Sequence, residues 1–220
     1  MLAKDGTLYG TTSTGGTLNV GRVFKLTATG KHTTLYSFCS QKSCADGVYP
    51  YSGLLQAADG GLYGTANQGG ARGPAYTAGT IFKITPLGVL TTLYSFCSQT
   101  NCADGAYPLA LFEGTDGNFY GGAENGGAYK DGTLFRFGLG LPPFVTMFPA
   151  YGKARAKVVI LGTSLTGTTA VRFSGKNATF VVNSSSEITA TVPTGATTGT
   201  VTVTTSKGTL DSNVAFHVLP

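Results

Sequence analysis

Four cysteines stand in two identical pairs, Cys39 with Cys44 and Cys97 with Cys102, each spaced C-x4-C and each followed directly by Ala-Asp-Gly. Cysteines so placed can bond to one another, remain as thiols, or bind zinc. Zinc sites commonly use two-residue spacings or four converging ligands. Here the two pairs are 58 residues apart and the nearby histidine is His32 alone. Four cysteines permit three pairings. Each pair occurs in a near-identical segment that carries both partners, which favours the local bonds Cys39–Cys44 and Cys97–Cys102. In the loop-closure model a ring this small still removes about 2 kcal/mol of denatured-state entropy. Disulfides persist in oxidising compartments. The first residues, Met1-Leu-Ala-Lys-Asp, contain no apolar stretch of the kind a signal peptide needs. The expectation is therefore an extracellular or cell-envelope chain whose signal peptide lies upstream, in a longer protein of which this chain is a fragment.

Other reactive residue types form no catalytic constellation. The two histidines, His32 and His217, fall in different parts of the chain, and no Ser-His-Asp motif surrounds either. His217 alternates with Phe216 and Val218, the pattern of an outward-facing strand residue. Asp5, Asp59 and Asp116, and likewise Asp46 and Asp104, are each followed by Gly. Asp-Gly is turn chemistry, because the Asp side chain bonds nearby backbone. Glu113 and Glu124 have no second carboxylate to form a glycosidase pair. Acidic density is far below that of a calcium loop, and the Gly-Gly pairs are not followed by the Gly-Lys-Ser of a phosphate loop. No catalytic residue, metal or cofactor is expected. The isoelectric point is about 9.0, but the one basic cluster is Lys153, Arg155 and Lys157. Specific DNA binders commonly neutralise 6–10 phosphates, so nucleic acid is not an expected partner. The three charges read as one face of an edge strand, where they block pairing with other chains. Tyr49, Tyr51 and Tyr107 lie in the segments after the cysteine pairs. Exposed there, they would stack on sugars; packed there, they would serve the fold.

The elements that must carry these residues are strands. The chain has 33 Gly in 220 residues, no Trp, and only 11% charged residues with a net charge of +5. Gly costs roughly 1 kcal/mol per helical position, and Thr, Val, Tyr and Phe are mediocre helix formers. The last four favour strands. Hydrophobic content of 41% excludes a disordered polar chain. No apolar run approaches the ~20 residues of a membrane span.

Most of the glycines mark an internal repeat. DGTLYGT at 5–11 recurs as DGGLYGT at 59–65 and DGNFYGG at 116–122. GRVFKLTATG at 21–30 recurs as GTIFKITPLG at 79–88 and GTLFRFGLG at 132–140. TTLYSFCSQKSCADGVYP at 33–50 recurs almost unchanged at 91–108. The second copy reads as four strands, 52–58, 62–65, 80–85 and 91–96, joined by turns whose Gly supplies positive φ. Four short antiparallel strands per repeat is a β-propeller blade pattern, with a β-solenoid as competitor. Met1 falls where Leu55 sits in the second copy, so the first blade is expected to lack its opening strand, leaving about 2.5 blades. A propeller closes with four or more; blades that do not close would leave exposed edges. These motifs resemble the GloVer-type tandem repeat of bacterial surface proteins, a group with variable (choice-of-anchor) C-terminal anchors. The resemblance covers residues 1 to about 140 and implies a secreted or envelope location.

Composition changes at GLGLPPF, residues 138–144, where consecutive prolines stiffen the chain. Residues 1–141 hold nine basic and eight acidic residues, and residues 142–220 hold six and two. Beyond the joint, 157–163, 170–175, 178–184, 187–193, 199–205 and 214–220 alternate apolar and polar residues. That is the pattern of an immunoglobulin-like sandwich. FPAYG near 148–152, VVILGTSLTGTT near 158–169, VRFSG at 171–175 and ITATVPTGATTG at 188–199 resemble the IPT/TIG family of immunoglobulin-like domains. That resemblance implies a spacer or interaction module.

The sequence thus predicts an all-β chain: a partial β-propeller-like repeat array over 1–140, then an immunoglobulin-like β-sandwich over 141–220. The function it points to is a non-catalytic display or adhesion scaffold whose partner is a polysaccharide or another surface protein. Carbohydrate binding through Tyr49, Tyr51 and Tyr107 is the alternative. Membership of a secreted enzyme, with the catalytic region outside this chain, is a weaker third.

Overall fold

The computed structural model describes residues 1–71 and 77–220. Among these the protein is all-β; its only helical segments are two single 3-10 turns, Lys42–Cys44 and Thr100–Cys102. The chain divides into two compact units. One comprises Met1–Glu113 with Phe119–Phe137, the other Gly114–Asn118 with Gly138–Pro220.

The first unit contains three antiparallel sheets, one per repeat. Strands β1 (Leu8–Thr12), β2 (Arg22–Leu26) and β3 (His32–Ser37) form the first sheet. Strands β4 (Leu55–Gln56), β5 (Leu62–Ala66), β6 (Thr80–Ile84) and β7 (Leu90–Ser95) form the second in simple sequence order. Strands β8 (Ala106–Glu113), β9 (Asn118–Asn125) and β10 (Thr133–Gly138) form the third. The opening strand varies most, from two residues in β4 to eight in β8. Nor is it wholly missing from the first sheet. Leu2 bridges Leu8, and Tyr9 N donates to Met1 O at 2.9 Å, so Met1 and Leu2 occupy the place of β4.

Register explains two residues of the repeat motif. Gly10 pairs with Phe24 and Gly64 with Phe82. A Cβ on Gly64 would lie 2.7 Å from the Phe82 ring, and one on Gly121 would lie 2.5 Å from the Phe135 ring. The glycine of L-Y-G-T is therefore the floor on which the phenylalanine of G-T-x-F rests. The pairing of β2 with β3 slips by one residue after Val23, and that of β6 with β7 slips after Ile81. The same bulge recurs in the same place.

Successive sheets stack face against face. Tyr9, Val23 and Phe38 from the first share a core with Leu62, Ala66, Phe82 and Ile84 from the second. Phe38 meets Phe82 edge-on at 5.3 Å, and one repeat later Phe96 meets Phe135 edge-on at 5.0 Å. Burying a large apolar side chain stabilises by about 1.5–3 kcal/mol, so these phenylalanines are principal anchors of both seams. Strand β5 is buried at all five positions. Both of its faces are covered, because a sheet lies on each side of it.

The second unit is a two-layer sandwich. Strands β11 (Thr146–Phe148), β12 (Tyr151–Gly152), β13 (Lys157–Leu161), β14 (Ala170–Phe173), β15 (Lys176–Asn177), β16 (Thr179–Val182), β17 (Glu187–Thr191), β18 (Val201–Thr205), β19 (Gly208–Asp211) and β20 (His217–Val218) follow in order. One layer is β11-β13-β17-β16 and the other β15-β14-β18-β19, with β12 and β20 paired in parallel. Val158, Ile160, Ile188 and Ala190 of one layer pack with Val171, Phe173, Val201 and Val203 of the other. His217 is exposed beside buried Phe216. The basic cluster departs from its expected place. Lys157 begins β13, an interior strand, whereas Lys153 and Arg155 precede it in a turn where Arg155 has φ 71°. They are exposed charges of a turn, not the face of an edge strand.

Candidate functional site

The most constrained chemistry lies in the two Cys-x4-Cys-Ala-Asp-Gly loops. Cys39 is bonded to Cys44 and Cys97 to Cys102. Each ring spans a single 3-10 turn, and the two rings share one backbone path. Cys39, Ser43 and Cys44 have φ of 61°, 55° and 53°; Cys97, Asn101 and Cys102 have 59°, 57° and 53°. Three non-glycine residues in the left-handed region per loop cost free energy that the surroundings must offset.

Part of that offset comes from an aspartate. Asp46 is fully buried and accepts from four groups. Tyr36 Oη donates at 2.8 Å, Ser40 N at 2.9 Å, Ser40 Oγ at 3.3 Å and Gln41 N at 3.2 Å. Asp104 repeats the set with Tyr94 Oη at 2.7 Å, Ser98 N at 2.9 Å, Ser98 Oγ at 2.8 Å and Gln99 N at 3.1 Å. Burial works against ionisation of Asp104, yet the donors from Tyr94, Ser98 and Gln99 outweigh it and hold its carboxyl below the usual range. Burial, reinforced by the Asp46 carboxylate, pushes the Tyr36 hydroxyl up to about 12. The Asp-Gly reading of the sequence captured the turn but missed the tyrosine. Its trace was present: Tyr36 and Tyr94 each stand ten residues before the Asp.

Each loop also fastens one repeat to the next. Cys44 O accepts from Gly70 N, and Cys102 O accepts from Gly127 N, both at 3.0 Å. Gly69 has φ 80°, and a Cβ there would lie 2.8 Å from both Cys44 O and Gly47 Cα. The pairs Gly69–Gly70 and Gly126–Gly127 are thus docking points for the preceding loop. The other repeated aspartates serve the hairpin turns. Asp59 accepts from Gly61 N at 2.8 Å, Tyr63 Oη at 2.8 Å and Lys83 Nζ at 3.2 Å. Asp5 accepts from Thr7 N and Tyr9 Oη in the same way. Glu113 holds the second seam, its Oε2 accepting from Ala58 N at 2.8 Å. Burial raises its pKa.

The three candidate tyrosines fall in two places. Tyr49 and Tyr51 stack with centroids 6.2 Å apart and planes 11° from parallel, and Tyr51 is 65% exposed. Tyr107 stands one repeat further on, where Leu109 replaces the second tyrosine. Both Tyr49 and Tyr107 have positive φ, 55° and 60°. Their backbones stitch the repeats together, Tyr49 N donating to Val20 O and Tyr107 N to Ala78 O. Tyr107 also lines a cleft of about 480 Å³ with Cys97, Asn101, Cys102, Asn125 and Lys130. A second cavity of about 320 Å³ is lined by Ile81, Tyr94, Phe96, Phe135 and Phe137. In the second sheet Leu90 of β7 packs into the core shared with the first; the third sheet has no such fourth strand. No group of three or more metal-ligating side chains occurs among the described residues.

Three stacked antiparallel sheets with disulfide-closed loops at both seams define an all-β tandem-repeat protein. Residues 1–181 match the Gloeobacter/Verrucomicrobia repeat, and the chain belongs to that family. The match runs beyond the third repeat into the sandwich, past residue 140 where the sequence resemblance ends. No curated protein matches the chain.

Proposed function

We propose that this chain is a non-catalytic extracellular or cell-envelope scaffold. Its repeats are propeller-like blades that present a rigid surface. Its sandwich is an immunoglobulin-like module of the IPT/TIG kind that serves as spacer or interaction domain. The supporting observation is the disulfide-closed loop at each seam, because a repeat joint that depends on disulfides belongs in an oxidising compartment. The repeated acids are consumed by structural hydrogen bonds, which supports the non-catalytic reading. The test is non-reducing peptide mapping of protein recovered from its native cells, together with protease treatment of the intact cells. Both bonds formed, and digestion by external protease, are expected. Reduced cysteines in a protected chain would sink the proposal.

One observation favours a second reading, carbohydrate binding. The parallel Tyr49–Tyr51 pair, with Tyr51 largely exposed, is a surface on which a sugar ring stacks. A glycan array probed with the wild type and Tyr51→Ala decides it. Binding that is lost in the variant without loss of fold supports the reading, and silence across a broad array removes it.

A further inference from the structure

The two seams share one backbone path but differ in what fills them. At the first, Val20 and Val48 are buried in a core with Cys44. Their equivalents at the second are Ala78 and Ala106. With those methyl groups gone, the two alanines floor the cleft of about 480 Å³ beside Cys97–Cys102, a size typical of ligand pockets, about 300–1,000 Å³. Tyr107 forms a wall. Its equivalent Tyr49 stacks on Tyr51, but Leu109 stands in place of that second tyrosine, and the Tyr107 ring has no aromatic neighbour among the described residues. Ser43 gives way to Asn101 at the rim. Lys130 is the one charged side chain among the described residues of the lining. It holds a turn position at φ 65°, where the first repeat has Asn19 at 56°. Asparagine suits that left-handed conformation, and Asn19 Oδ1 accepts from Gly15 N at 2.8 Å. Lysine has no acceptor for that bond, so the turn does not account for its presence. Among the described residues, the side chains of Asn101, Tyr107, Asn125 and Lys130 make no hydrogen bond.

We propose that this cleft binds an acidic sugar, a pyranose carrying a carboxylate as in the uronate units of a polysaccharide. The proposal rests on the carbohydrate reading for its ligand class, but it sets the ligand at the second seam and not on the Tyr49–Tyr51 pair. Each feature of the lining has a counterpart in such a ring. The C–H face of the pyranose lies against Tyr107 and the alanine floor. Its hydroxyls pair with the amides of Asn101 and Asn125, which both donate and accept. Its carboxylate accepts from Lys130 Nζ. A neutral sugar gains nothing from the ammonium, and an apolar ligand gains nothing from the amides. An exposed ion pair is weak and screened by salt, so the carboxylate contributes a few-fold in affinity and the filled cleft contributes the rest.

NMR titration of the full 220-residue chain with uronate tetramers of the galacto and gluco series, each beside its methyl ester, tests this. At low salt one of the acids should bind with a Kd of about 1 mM, and its ester, alike in shape but uncharged, about fivefold more weakly. Raising the salt to about 1 M should erase most of that preference. Ala106→Val rebuilds Val48 of the first seam inside the cleft and should weaken binding at least tenfold, with circular dichroism matching the wild type. Lys130→Gln, on the surface, should make acid and ester equal, and it carries the test if Ala106→Val does not fold. Tyr51→Ala should leave uronate binding unchanged. Neither acid binding, esters bound as tightly as acids, or binding untouched by both Ala106→Val and Lys130→Gln would each overturn the proposal. A glycan-array signal that depends on Tyr51 would then leave the carbohydrate reading standing without this site.

Discussion

The Asp46 carboxylate ties the first cysteine loop to Tyr36, Ser40 and Gln41. A buried carboxylate with no cation among its partners is tolerated only when its oxygens are fully occupied by donors, because an unsatisfied buried polar group costs about 1–3 kcal/mol, and more if charged. Four donors meet that demand here. Asp46→Asn turns one accepting oxygen into a donating NH2 that faces groups which also donate. We expect a loss of about 2–3 kcal/mol in denaturant unfolding. Asp104→Asn, at a site open to partial solvent, should lose less. Equal stability of wild type and Asp46→Asn would show that the hub does not hold the loop.

At the scale of the strand, the glycine under each phenylalanine ring sets how closely sheets can stack. Gly64→Ala places a methyl 2.7 Å from the Phe82 ring and 2.9 Å from Leu54, in a region packed on both sides. We expect a loss of about 1–3 kcal/mol from this overpacking. Gly53→Ala is the control, since its added methyl meets nothing and should shift stability by no more than about 0.5 kcal/mol. A Gly64→Ala protein as stable as that control would contradict the close-approach reading. Much of this level was legible in the sequence. Asp-Gly and Gly-Gly turns bounded the strands, and in the second repeat 62–65, 80–85 and 91–96 each coincide with an observed strand to within one residue at either end. The limits are physical. Alternation along TIFKI says that two faces differ, not that both are covered, so the stacking of β5 and β6 between two neighbours could not be read. The period of two was equally silent about Lys153 and Arg155, because a turn with a left-handed Arg155 breaks the strand before Lys157. Of the candidate site, the cysteine loops were visible as repeated motifs. The separation of Tyr107 from the Tyr49–Tyr51 pair was not, since it depends on one sheet stacking on the next.

For the molecule as a whole, the disulfides sit only in the unit made of repeats, and the sandwich has none among its residues. Each bond removes about 2 kcal/mol of denatured-state entropy in the loop-closure model. Calorimetry in a phosphine reductant should therefore lower one unfolding transition and leave the sandwich transition where it was; equal shifts in both would contradict the assignment. The seams themselves bear on how such chains are inherited. The hydrogen bonds from Gly70 to Cys44 and from Gly127 to Cys102 are the same bond one period apart, as are the meetings of Phe38 with Phe82 and of Phe96 with Phe135. A recombination between equivalent codons of the first two repeats would rejoin these two contacts with their own partners, so the gain or loss of a whole period leaves the loop bond and the ring contact intact.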